Sequence, residues 1–184
     1  MNNREREYIF ADLPDIGYST DIDTVMASSY QVKKQLQQIV KIEQPITNTL
    51  LYKRILRIWN LTRVTTRLQV FIDSLLEDAY KDPLSGDTII YWENKEKAKE
   101  CDFYRINSKR DILDIPILEV MSAARYAIEQ QISMPIEDLK RLTSQLLGFS
   151  RKGNNLDMVT EQTIQLLINK GIFSHANGMV SMNN

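Results

Sequence analysis

Between Ser28 and Ala79 the apolar residues recur three times with a helical period, separated only by short breaks, and this confines the segment to packed helices. In the first run Val32, Leu36, Ile39 and Val40 share one face. Gln44-Pro45 stops it, because the residue before a proline is pushed out of helical backbone. Thr47 is placed to cap a second helix whose inward stripe is Leu51, Ile55, Ile58 and Trp59, with Asn60 at its end. Thr62 is placed to cap a third, with Val64, Leu68, Phe71, Ile72, Leu75, Leu76 and Ala79 inward. Pro83 and Gly86 then interrupt the chain. Thr88 to Trp92 and Phe103 to Ile106 read as two strands around a charged loop, Glu93 to Asp102. Three helices followed by a hairpin is the order of a winged helix.

The same order returns less plainly in the second half. Pro116 opens a helix bearing Leu118, Met121, Ala124, Ala127 and Ile128, and Pro135 opens another bearing Leu139, Leu142, Leu146 and Leu147, which Gly148 ends. A third helix is expected over Leu156 to Asn169, with Val159, Thr163, Ile164 and Leu167 inward and Gly171 stopping it. Ala176-Asn177-Gly178 between short apolar runs is a hairpin signal. No sequence identity between the halves establishes them as copies. The expected fold is mainly α with small β hairpins, an α+β chain of tandem winged-helix-like units: an acidic arm over residues 1–30, a first unit over 31–108 and a second over 112–184.

Composition narrows the function. The 184 residues are 43% hydrophobic, enough to fold, and contain one cysteine, Cys101, and one histidine, His175. An intramolecular disulfide and a Cys/His zinc cluster are therefore excluded. Serine and cysteine catalysis of the histidine-assisted kind would both need His175, and nothing in the sequence pairs a nucleophile with a base, so no enzyme and no cofactor is expected. Asp12, Asp15, Asp21 and Asp23 lack the ordered spacing of a calcium loop, and no metal is expected. Met1 to Phe10 lacks an apolar signal core, and no window approaches the roughly 18 apolar residues of a membrane span, which gives the expectation of a cytoplasmic protein with no membrane partner.

A formal charge of −1 argues against bulk electrostatic capture of nucleic acid. The distribution is uneven, however: residues 1–30 carry a net −4 and residues 31–80 a net +4. Any nucleic-acid contact must come from that basic segment or a similar local patch, and the acidic arm is suited to fold back on it.

Several strings resemble a known family. Ile39-Val40-Lys41-Ile42-Glu43-Gln44-Pro45-Ile46, followed by Leu51, Arg54, Ile55, Trp59, Leu61, Arg63 and Arg67, is similar to the start of an uncharacterised bacterial domain that closes large superfamily-one helicase-like proteins. Asp114-Ile115-Pro116 with Glu119, then Glu137-Asp138-Leu139, then Leu146-Leu147-Gly148-Phe149-Ser150-Arg151-Lys152-Gly153 follow in that family's order. The resemblance covers roughly residues 36–180. It implies the company of helicase motors, sometimes with nuclease domains, in DNA processing or phage defence. The chain has no P-loop string, so any helicase or nuclease would be a separate subunit.

Within this frame Arg63 and Arg67 are the first candidate nucleic-acid contacts, since winged helices place the start of the third helix in a groove. Their position runs against the helix dipole, with Asp73, Glu77 and Asp78 late in the same helix. The competing reading pairs both arginines with acids of the arm or the following loop. Lys53, Arg54 and Arg57 on the second helix suit phosphate contact, although a solvated face has the same composition. Lys95, Lys97 and Lys99 alternate with Glu96 and Glu100 in the expected wing, which reads as a soluble loop tip. Arg151 and Lys152, before Gly153, form a short basic loop ranked after Arg63 and Arg67. Trp59 and Phe149 are expected in the core, His175 on the surface and Cys101 as a free thiol. Tyr91 and Trp92 are strand neighbours that must point to opposite faces, which leaves open whether one is exposed, and Phe103 and Tyr104 raise the same question.

Two functions of different class follow. One is a non-catalytic nucleic-acid-binding accessory acting on DNA with a helicase or nuclease. The other is a docking module for such a subunit, or for a second copy of itself, without nucleic-acid contact.

Overall fold

The computed structural model describes residues 3–18, 20–82, 88–106 and 109–183. It is a helical chain with small sheets, an α+β fold, and it divides into an N-terminal unit, Ile9–Glu100, and a C-terminal unit made of Met1–Tyr8 with Cys101–Asn184.

The N-terminal unit runs α1 (Ile22–Ala27), α2 (Ser29–Glu43), β2 (Ile46–Thr47), α3 (Asn48–Ile58), α4 (Thr66–Leu75), β3 (Tyr80–Asp82), β4 (Ile90–Trp92) and α5 (Lys95–Lys99). The apolar faces read from the sequence are the buried ones: Val32, Leu36, Ile39, Leu51, Ile55, Leu68 and Ile72 are all withdrawn from solvent. Helix α2 packs on α3, α4 and β4. Thr47 caps α3 by accepting from the Leu50 amide, as its sequence position implies. The third helix begins later than expected: Thr65, rather than Thr62, accepts from the Leu68 amide and starts α4.

The sheet order is β2-β4-β3, with Ile46 and Lys81 flanking Tyr91 on the central strand. The hairpin therefore differs from the expected one. Strand β4 pairs with β3, residues 83–87 of their connection, with the breaks expected at Pro83 and Gly86, lie outside the described residues, and the charged stretch after Trp92 forms α5, which Asn94 caps. The strand Tyr104–Ile106, β5, pairs instead in parallel with β1 (Glu5–Glu7), Arg6 opposite Arg105, within the C-terminal unit. Backbone pairing at β1 and β5 moves the boundary between units to Glu100/Cys101, in place of 108 and 112.

The acidic arm is likewise corrected. Its first residues belong to the C-terminal unit, and the rest is bound into the N-terminal one. The Ala11 amide donates to Glu43 at 3.0 Å, the Ile16 amide donates to the Ile58 carbonyl, and the Thr20 hydroxyl donates to the Trp59 carbonyl. Val25 of α1 is fully buried. Hydrophobic periodicity missed this segment because its ties run through backbone groups rather than an apolar stripe.

The C-terminal unit adds α6 (Ile117–Glu129), β6 (Met134–Pro135), α7 (Ile136–Leu146), α8 (Asn154–Asn169), β7 (Phe173–Ala176) and β8 (Met179–Met182). Its sheet order, β6-β8-β7, repeats that of the first unit. Asn177 and Gly178 both take positive φ, the mirror-image turn that the Asn-Gly pair announces. Ala124, Ala127, Leu139, Ile164, Leu167, Phe173 and Val180 form one core cluster.

The two units are in register, which residue identity between the halves does not establish. Strand β2 and helix α3 match β6 and α7 in length, at residues 88 positions on. Without a gap, buried Val32 matches Val120, Leu51 matches Leu139 and Leu68 matches Leu156. Asn60 and Gly148, at the ends of α3 and α7, both have positive φ, and Thr65 and Gly153 both stand at the N-cap of the third helix. Asn60 is one of the few residues besides glycine that enter this region readily, so both positions serve one turn.

The C-terminal unit is built around Glu119, a fully buried carboxylate on α6. Arg110 donates to it at 2.7 and 2.9 Å, Arg105 donates through its guanidinium, and the Arg105 amide donates at 3.0 Å. The Tyr8 ring lies 4.6 Å from the Arg105 guanidinium and 4.2 Å from that of Arg110, which brings the first residues of the chain to the same point. Burial pushes the Glu119 carboxyl up, and the two arginines overcome this and hold it at about 2, below its ordinary 4.5. A carboxyl lowered on folding stabilises above its unfolded value and loses that contribution as pH falls through the folded one. Urea unfolding at neutral pH is expected to show Glu119→Gln less stable by about 3–5 kcal/mol, the cost of leaving buried charge uncompensated. Between about pH 4.5 and 2, wild type is expected to lose stability more steeply than the variant.

Candidate nucleic-acid interface

In the N-terminal unit the basic candidates lie on two consecutive helices and their link. Lys53 and Arg57 are one turn apart on the exposed face of α3. Arg63 is exposed in the link before α4, and Arg57 and Arg63 have no ion-pair partner among the described residues. Arg67, in the first turn of α4, is exposed and pairs with Asp23 of α1 at 2.7 Å. The acidic segment thus folds back on one of the two arginines, and the competing reading holds for Arg67 and not for Arg63.

Arg54 leaves the candidate set. Its side chain is 12% exposed and turned inward, donating through Nε to Glu43 at 2.9 Å and through Nη2 to the Ala11 carbonyl at 2.7 Å. Glu43 is wholly buried and accepts the Ala11 amide as well, so Arg54 holds the incoming segment on the α2–α3 pair. Its neighbours on the solvated side gave the sequence no means of separating it from Lys53 and Arg57.

The reversed charge order of α4 also has a structural cause. The Tyr52 and Tyr91 hydroxyls both donate to Asp73, at 2.8 and 2.9 Å, joining α3, α4 and β4. Burial, and after it the Asp73 carboxylate, raises both tyrosines above their ordinary value. Asp73 is late in the helix because it anchors, and Arg63 precedes the helix, so the dipole argument bears only on Arg67.

In the C-terminal unit Arg151 and Lys152 are exposed, precede α8 and have no ion-pair partner among the described residues. Arg151 occupies the position that matches Arg63, and Arg141, exposed on α7 and paired with Asp138, matches Lys53. An open concavity of about 690 Å³ beside the start of α8 is lined by Arg141, Ser150, Arg151, Lys152 and Asn154, among others. The acids nearby are engaged: Lys140, almost buried, binds Asp157 at 2.7 Å, Glu161 at 3.0 Å and Glu137 at 3.4 Å. Burial lowers the Lys140 ammonium, and its bonds to Asp157 and Glu161 reverse this and raise it. The Lys140–Glu161 pair matches Tyr52–Asp73, a different chemistry joining the second and third helices at the same place. Arg141 escaped the sequence reading, and aligning the halves at their common offset is the signal that finds it.

Other residues depart from expectation. Lys95, Lys97 and Lys99 are exposed on α5 instead of a wing. Tyr91, Trp92, Phe103 and Tyr104 are all buried, because β4 is covered on both faces and β5 packs on α6. Cys101 is half-buried, and burial, with the Glu119 charge, pushes its thiol up to about 12, which leaves it unreactive near neutrality. His175 is exposed and Trp59 is buried, as expected. Among the described residues no group of His, Cys, Asp or Glu is arranged to hold a metal ion, and no helix is long and apolar enough to cross a membrane.

The two units define the chain as an α+β protein of paired helix-hairpin modules. Over residues 27–70, which hold α2, α3 and the first half of α4, it is similar to the family described as "Protein of unknown function (DUF3320)", an uncharacterised domain family. The strings of the second half fall outside that span. No curated protein and no solved structure matches the chain.

Arg54 and Arg57 separate structural from surface roles. Arg54→Ala leaves the buried Glu43 carboxylate uncompensated and is expected to cost about 3–5 kcal/mol in urea unfolding. Arg57→Ala is expected to stay within about 0.5 kcal/mol of wild type.

Proposed function

We propose that the chain is a non-catalytic nucleic-acid-binding accessory protein that contacts DNA through the start of the third helix in each unit. The observation that carries this reading is the recurrence of an exposed arginine, Arg63 and Arg151, with no ion-pair partner among the described residues, at one and the same position of the two units. Lys53 and Arg57 in one unit, and Lys152 and Arg141 in the other, add cations on adjoining surface. The sum of the whole chain is near neutral, so the contact is local and its affinity rests on few phosphates. The resemblance of the chain's strings to a helicase-associated domain supports a helicase or nuclease as its working partner, in DNA processing or phage defence.

Labelled duplex and single-stranded DNA, titrated at two salt concentrations and followed by fluorescence anisotropy, test the reading. Salt-sensitive duplex binding by the wild type is expected, weakened by Arg63→Glu and by Arg151→Glu singly and abolished by both, with circular dichroism unchanged. Asp23→Asn releases Arg67 and is expected to tighten binding by less than about fivefold, the scale of an exposed ion pair. Absence of binding by wild type at low salt would leave the chain as a docking subunit.

A further inference from the structure

Each third helix carries a large apolar residue on the same outward position. Val70 on α4 is 64% exposed and Met158 on α8 is 45% exposed, and they match at the offset that aligns the units. Single exposed apolar residues are ordinary and need no explanation. Their coincidence at a matched position is different, because the residues around these two differ between the units. Gln69 faces Asp157 in the alignment, Arg67 faces Asn155 and Ser74 faces Gln162. Neither apolar residue serves the fold: the helix faces that pack are those of Leu68 and Ile72, and of Leu156, Thr160 and Ile164, all buried.

The surroundings indicate what meets them. Val70 lies one turn beyond Arg67 on the same side of α4, with Ser74 one turn further and Arg63 ahead of the helix. Met158 lies one turn beyond Asn154 and Asn155, with Arg151 and Lys152 ahead of the helix and Gln162 one turn further. Cations in the link ahead of a helix, followed within its first two turns by an exposed apolar residue among polar ones, match a helix whose preceding link lies against phosphates and whose first turns lie against base edges. In the major groove the one apolar feature of the base edges is the thymine 5-methyl group.

Resting on the nucleic-acid reading above, we infer that Val70 and Met158 are specificity-determining residues, each packing on a thymine 5-methyl group in the major groove of duplex DNA. Each contact withdraws about one methyl group from water and is worth roughly a threefold change in affinity.

The test compares a mixed-sequence DNA duplex with the same duplex in which every thymine is replaced by uracil, which lacks only that methyl group. The full chain and the double variant Val70→Ala/Met158→Ala are titrated against both, with folding checked by circular dichroism. Wild type is expected to bind the uracil duplex roughly threefold more weakly for each unit engaged. The variant is expected to bind both duplexes equally and to retain its salt dependence. Equal binding of both duplexes by wild type, with Arg63-dependent, salt-sensitive affinity intact, would overturn the inference and leave the nucleic-acid reading standing. So would the same thymine preference in the variant, which would assign it to duplex shape. Loss of self-association in the variant, seen by sedimentation without any effect on duplex binding, would assign the two residues to a protein contact and overturn it. No duplex binding by wild type would overturn both.

Discussion

A buried carboxylate held by arginine closes each unit, and the rest of the architecture depends on it. In the C-terminal unit Glu119 sits at the start of α6 and gathers Arg105 from β5, Arg110 from the following loop and, through stacked guanidinium groups, Tyr8. In the N-terminal unit Glu43 gathers Arg54 and the backbone of Ala11. In both, a segment without an apolar stripe of its own is fixed by hydrogen bonds to a charge that cannot be left uncompensated in the interior. Such clusters add little net stability relative to an apolar core, but they admit one arrangement of the strands and loops that converge on them.

That division of labour explains how a surface can be kept free for binding. The apolar faces assemble three helices and a hairpin; the buried ion pairs attach the irregular segments; and the tyrosine–aspartate and lysine–glutamate links join the second and third helices in the two units. Once these demands are met, the position just ahead of the third helix, Arg63 in one unit and Arg151 in the other, takes part in no ion pair among the described residues. An arginine standing there twice, at matched positions, is therefore informative in a way that its charge alone is not. Arg54, by contrast, is a cation with the same sequence setting as its neighbours and an entirely internal task.

Aligned residues share burial class more than identity: Val32 and Val120, Leu36 and Ala124, Ile72 and Thr160 are all interior, and only a few pairs are the same amino acid. Packing tolerates exchange of hydrophobic residues at constant patterning, so drift in the core is expected. Val70 and Met158 differ in residue but are both apolar and exposed at matched helix positions, which no such packing requirement explains.

Helices α2, α3, α6, α7 and α8, the body of α4, the starts at Thr47, Pro116 and Pro135, and the Asn177-Gly178 turn were legible in the sequence, because each depends on contacts within a few residues: periodicity, proline geometry and left-handed turn positions. The exposed Arg63, Arg151 and Lys152 were legible for the same local reason. What the tertiary structure alone decided was non-local. It chose β3 as the partner of β4 and β1 as the partner of β5, drew Arg54 inward and Tyr91 and Trp92 out of solvent, tied Asp23 to Arg67, and set the two halves in one register. Strand partners and ion pairs are selected by groups far apart in the chain, and a short strand or a lone arginine carries no periodic signal that says which distant group it will meet.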